Sequence, residues 1–107
     1  MIDPLKCVEF IQSNASKMAE AKANRIYIEE SLRSIKALQM QHHSSLPVSA
    51  QEREAYASEP YRTALAGLRA AVEAEESLRW MMVAAQAKVE VWRSMESSNR
   101  AIDRGAR

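Results

Sequence analysis

The sequence predicts an all-α fold, and three observations predict it. Helix breakers are rare: the 107 residues include two glycines and three prolines. Strong helix formers are abundant, with eighteen alanines and with Leu, Met, Glu, Gln, Lys and Arg at most other positions. Apolar residues recur at steps of three and four and never alternate over a useful length. A chain of this size is read as one helical domain, residues 1–107.

The first helix is expected from Pro4 to about Gln41. Asp3 can accept hydrogen bonds from the free first-turn amides, and Pro4 suits the first helical position, where its missing N–H costs nothing. Leu5, Val8, Ile11, Ala15 and Met18 start an apolar pattern that Ile28, Leu32, Ile35 and Leu38 continue. His42 to Ser49 is the one clear loop. Ser49-Ala-Gln-Glu52 has the form of a capping box, which starts a short connecting helix over about 50–57. A second long helix is expected over 59–99, its stripe formed by Leu65, Leu68, Val72, Leu78, Met82, Ala85, Val89 and Trp92. Ser97, Ser98 and Asn99 are weak helix formers, so residues 100–107 read as a tail prone to fray, with Gly105 as a stop if the helix continues.

Two long helices with a short connection make a long antiparallel hairpin. Opposed residues then have numbers summing to about 100, which sets Leu32 near Leu68 and Arg25 near Glu75. Arg25 and Glu75 are where a charge interrupts each stripe. They either form an ion pair inside the seam, which fixes register at a cost in stability, or lay only their stems along its edge. Two helices leave one side of each uncovered. Ile26, Tyr27, Trp80, Met81, Val83 and Val91 would stand in water, so dimerisation into a four-helix bundle with coiled-coil packing is expected.

Fifteen basic and fourteen acidic residues give a net charge of +1, which argues against nucleic-acid binding by bulk charge. Cys7 is the only cysteine, so no internal disulfide supports the fold. Met1–Cys7 lacks the apolar core expected of a signal peptide, and the longest apolar run, Trp80 to Ala85, is far short of a membrane span. A cytoplasmic protein without membrane attachment is expected.

Few residues suggest chemistry. His42 and His43 are adjacent at a helix end with no acid or cysteine at ligand spacing, a poor metal site. Cys7 as a nucleophile needs a nearby base or cation, and the hairpin puts both histidines at the opposite end, where they could serve only across a dimer, so a packed or surface thiol is expected. Glu73, Glu75 and Glu76 read as a solvated acidic face. No catalytic, cofactor or metal residues are assigned, and the chain is not expected to be an enzyme. The C-terminal end is more suggestive: Arg93, Arg100, Arg104 and Arg107 outnumber Glu96 and Asp103, and Trp92 stands beside them. They could contact a nucleic-acid backbone while Trp92 stacks on a base. Alternatively Trp92 belongs to the core and Glu96–Arg100 is an ordinary i,i+4 pair.

The stretch Val-Glu-Val-Trp-Arg-Ser-Met-Glu-Ser-Ser-Asn-Arg from Val89, with Tyr27-Ile-Glu-Glu and Gln51-Glu-Arg-Glu-Ala-Tyr-Ala, resembles small all-helical proteins of tailed phages and prophages. Genes of that family often lie near early genes for recombination and single-strand DNA handling. The resemblance implies a phage protein in the host cytoplasm, but it brings no active residues to transfer. Secreted hairpins of the WXG type share the size, but their Trp-x-Gly turn is missing from His42–Ser49. The expected function is accessory binding in phage DNA metabolism, as a homodimer, with single-stranded DNA or a recombination protein as partner. The rival is a host-directed inhibitor or adaptor that binds a protein through the face around Glu73, Glu76 and Trp80.

Overall fold

The computed structural model describes residues 1–105 and consists of three helices, α1 (Pro4–Gln41), α2 (Val48–Ala57) and α3 (Glu59–Gly105). The fold is all-α and hairpin-like. Its packing divides into two units. One joins Met1–Met18 to α3 from Ser77 onward, and the other is Ala19–Glu76.

Each helix boundary has a local cause. At the start of α1, Asp3 Oδ1 accepts the amides of Leu5 and Lys6 at 3.1 and 3.2 Å. After Gln41 the chain turns, with the amides of His42, His43 and Leu46 donating to the carbonyls three residues back. The capping box expected at Ser49 is not what starts α2. The helix begins at Val48, after Pro47 with φ −57° and ψ 154°, and no side chain caps it. The fixed φ of proline sets the entry, and Gln51 Nε2 donates to Leu46 O at 2.8 Å across it. Ser58, with extended backbone, then separates α2 from α3. Its hydroxyl donates to Ala55 O at 2.6 Å and accepts the amide of Tyr61 at 3.4 Å, so one side chain closes one helix and caps the next.

The end of α3 follows the longer of the two readings, with Gly105 as its last helical residue. It runs unbroken to Gly105, six residues past the expected end at Asn99, so Arg100–Gly105 is helix. No Pro or Gly lies between Asn99 and Gly105, and Arg104 Nε donates to Arg100 O at 3.4 Å. Weak propensity at Ser97–Asn99 is not a break.

In the Ala19–Glu76 unit, α1 and α3 pack antiparallel, joined through the turn and α2. Ala21, Arg25, Ile28, Leu32, Ile35 and Gln39 of α1 and Tyr61, Ala64, Leu68, Ala71 and Glu75 of α3 form the covered series, and Ser31, Lys36, Met40, Gly67 and Glu76 are also partly covered. The steps alternate three and four, the 3.5-residue period of a coiled-coil seam. Ala55 of α2 is fully covered. Beside it, Tyr56 and Tyr61 meet edge to face at 5.2 Å, and the Lys36 ammonium lies 4.8 Å from the Tyr56 ring centre and 3.6 Å from Glu52.

The other unit keeps the same spacing, with Cys7, Ile11, Asn14 and Met18 of α1 and Leu78, Met82, Ala85 and Val89 of α3 covered. Asn14 Nδ2 donates to Phe10 O at 2.8 Å, which satisfies an amide placed on the seam.

The seam is narrower than the apolar pattern suggested. Leu5, Val8, Leu38, Leu65 and Val72 were expected inside and are exposed, while Cys7, Asn14, Ala64 and Ala71 take seam positions. Among the described residues the buried apolar set is Leu32, Ala55, Ala71 and Ala85. Small side chains let helix backbones approach closely, and the bulkier residues one position away are left at the edges.

Candidate interaction surfaces

Arg25 and Glu75 face each other across the seam of the Ala19–Glu76 unit. Arg25 Nε donates to Glu75 Oε2, and Nη2 donates to Oε1 at 3.3 Å, a two-pronged contact. Nη1 donates to Glu29 Oε1 at 2.9 Å. Glu75 is buried at 7 % exposure, whereas Arg25 keeps part of its surface in water. The hydrogen bonds to Glu75 first, then to Glu29, hold the Arg25 guanidinium protonated above its ordinary range. The Lys36 ammonium is likewise raised, chiefly by Tyr56 and further by Glu52. Both groups organise packing.

The arginines proposed to contact a partner lie on the end of α3. Arg93, Arg100 and Arg104 are all exposed, and steps of seven and four set them along one side of the helix. Arg93 Nη1 is 3.5 Å from Glu90 Oε1. Arg107 lies outside the described residues. Trp92 is exposed at 37 %, just past Val89, the last covered residue of α3, and the Arg79 guanidinium stacks 4.8 Å over the Trp80 ring.

His42 and His43 sit in the turn after α1. Among the described residues no group of three or more His, Cys, Asp or Glu could hold a metal ion. None of the described helices is long and apolar enough to cross a membrane.

One feature escaped sequence reasoning and another was seen only in part. The first is an open groove of ≈ 370 Å³ between α1 and α3, lined by Lys6, Cys7, Phe10, Met81, Ala84 and Lys88. Cys7 is therefore a half-buried groove residue. The second is an exposed series on α3, Met81, Ala84, Lys88, Val91, Met95, Ser98 and Ile102, again alternating three and four. The sequence marks Met81 and Val91 as uncovered, but the continuation through Met95 and Ile102 was masked by the stronger seam stripe beside it.

No family model matches the chain, and neither the curated proteins nor the solved structures contain a match.

Proposed function

We propose that the chain is a non-enzymatic binding protein of phage origin. It acts in the host cytoplasm as a homodimeric helical hairpin accessory to early phage DNA metabolism, with single-stranded DNA or a recombination protein as partner. One observation carries this reading: from Glu90 to Gly105, sixteen consecutive residues of α3 are exposed on every side. An isolated helix of that length is marginal in water, since most helical stability comes from packing an apolar face. A helix end that carries Val91, Met95 and Ile102 on one side and three arginines on another therefore suits a segment that is covered in its working state. The phage setting rests on the resemblance of Val89–Arg100, Tyr27–Glu30 and Gln51–Ala57.

The arginine row supports the nucleic-acid partner, because guanidinium groups pair with phosphate and lie clear of the apolar side. A gel shift with single-stranded DNA over a salt series tests it. Each phosphate contact on a single strand contributes about 0.7 to the salt slope, so the Arg93→Ala, Arg100→Ala, Arg104→Ala triple variant lowers the slope by about two. Absence of binding at low salt, or an unchanged slope in the triple variant, refutes the nucleic-acid partner.

The exposed Trp80, at 58 %, beside Met81, favours a second reading as a host-directed adaptor. Affinity purification from host lysate with and without nuclease separates the two. A single stoichiometric host protein, retained after nuclease and lost in Trp80→Ala, favours the adaptor.

A further inference from the structure

We infer that the groove beside Phe10 is filled by the end of α3 from a second copy of this chain, the two α3 helices running antiparallel. This deepens the homodimer proposed above and rests on it.

The inference starts from the distribution of charge on α3. Written as heptads, the exposed series Met81, Ala84, Lys88, Val91, Met95, Ser98 and Ile102 occupies the contact positions. The flanking positions are Trp80, Ala87, Ser94 and Ala101 on one side and Ala85, Trp92 and Asn99 on the other. None of these is charged. Glu90, Arg93, Arg100 and Arg104 fall on the sides turned away from the series, and Glu96 and Asp103 fall at its α1-side edge. A helix designed only for solvent has no reason to sort its charges in this way. Lys88 is the one charge within the stripe, and a single polar residue at such a position selects register and orientation.

That lysine also selects the second copy's direction. Parallel pairing would set Lys88 against Lys88 in one layer. Antiparallel pairing centred near Trp92–Ser94 instead sets Val91 opposite Met95, Lys88 opposite Ser98 and Ala84 opposite Ile102, each residue facing its counterpart of the second copy. Large then meets small at Ala84 and Ile102, as close packing requires.

The same alignment lays the helix end Met95–Asp103 of the second copy along the groove. Its Ile102 meets Ala84 and Met81 beside Phe10, while its Met95 lies opposite Val91 at the Lys88 end of the groove. Antiparallel helices put matching edges side by side, so Glu96 and Asp103 of the second copy fall on the side where α1 lies. Lys6 and Lys88 border the groove there. Glu96 thus comes level with the two lysines and Asp103 follows two turns along the same edge, twice over by symmetry, and electrostatic complementarity of this kind fixes register. The Arg93–Arg100–Arg104 row stays on the outer surface of the dimer, free for the partner proposed above.

The test uses two charge-swapped full-length chains. Lys6→Glu with Lys88→Glu makes the groove acidic, and Glu96→Lys with Asp103→Lys makes the helix end basic. Each variant alone juxtaposes like charges, and its self-association, read by sedimentation velocity, weakens at least about a hundredfold. Mixing the two restores a complementary pair at both grooves, so a heterodimer of wild-type strength appears. In parallel, Met95→Glu with Ile102→Glu abolishes self-association with unchanged helix content by circular dichroism, because both side chains are already exposed in the single chain. A wild-type dimer that none of these variants disturbs overturns this interface and leaves the homodimer standing. A wild-type chain that stays monomeric overturns both, and assigns the face to a different partner.

Discussion

Leu32 is the one large side chain in the buried apolar set, at 9 % exposure, while Leu38, two turns along the same helix, is 57 % exposed. Replacing each by Ala therefore tests where the seam runs. Leu32→Ala removes three carbons from a covered site, about 0.8 kcal/mol per methylene equivalent, or roughly 2 kcal/mol before any cavity is counted. In the Ala19–Glu76 unit the seam has few large buried neighbours to hold a void open, so the total belongs near the low end of the usual range, about 2.5 kcal/mol. Leu38→Ala removes the same atoms from water and costs less than about 0.5 kcal/mol. For a chain of this size the first change lowers the melting temperature by roughly 10–15 °C. Thermal and urea unfolding followed by circular dichroism, at one fixed protein concentration because association adds to apparent stability, provides the comparison. Equal losses for Leu32→Ala and Leu38→Ala would refute the seam described here.

Three further outcomes follow from the local contacts. Ser58→Ala removes the hydroxyl that closes α2 and caps α3 and costs about 1 kcal/mol in urea unfolding, whereas Ser49→Ala, at a position without a capping bond, costs much less. Glu75→Ala lowers the melting temperature more than Glu29→Ala does, because Glu75 is buried and makes two of the three Arg25 contacts; the reverse order contradicts the burial assigned to that layer. Lys36 has a raised pKa, so its contribution is fully present below its usual value of 10.5 and is lost as pH rises through the folded-state value. The melting-temperature gap between wild type and Lys36→Met accordingly stays constant from neutral pH to about 10 and narrows above it; a gap that widens there has the wrong sign.

Most of the architecture was readable from single residues whose chemistry leaves little choice. Asp3-Pro4 marks the start of α1, the turn after Gln41 coincides with the only loop-like composition, and Ser58-Glu59-Pro60 restarts the chain as α3. Arg25 and Glu75 stand out as charges in apolar stripes, and the fold places them in contact. What the sequence hid depends on side-chain size and on competition between local signals. An apolar pattern favours Leu65 and Val72 by hydrophobicity, yet close approach favours Ala64 and Ala71 one position earlier. Ser49 and Glu52 have the spacing of a capping box, but Pro47 had already fixed the entry to α2, and Glu52 turns to Lys36. The groove beside Phe10 was invisible because it depends on how far the N-terminal part of α1 is rotated about α3, which no spacing rule specifies.

A second copy of the chain covers the uncovered side of α3 in the dimer proposed above. Among the described residues eighteen large apolar side chains are exposed against four buried apolar residues, three of them alanine, an imbalance that a single chain leaves uncorrected. Sedimentation equilibrium of the full chain over about 1–100 µM measures this most directly. The expected mass is twice 12.1 kDa, falling to 12.1 kDa in Met95→Glu with Ile102→Glu. A wild-type mass of 12.1 kDa across the whole range would contradict it.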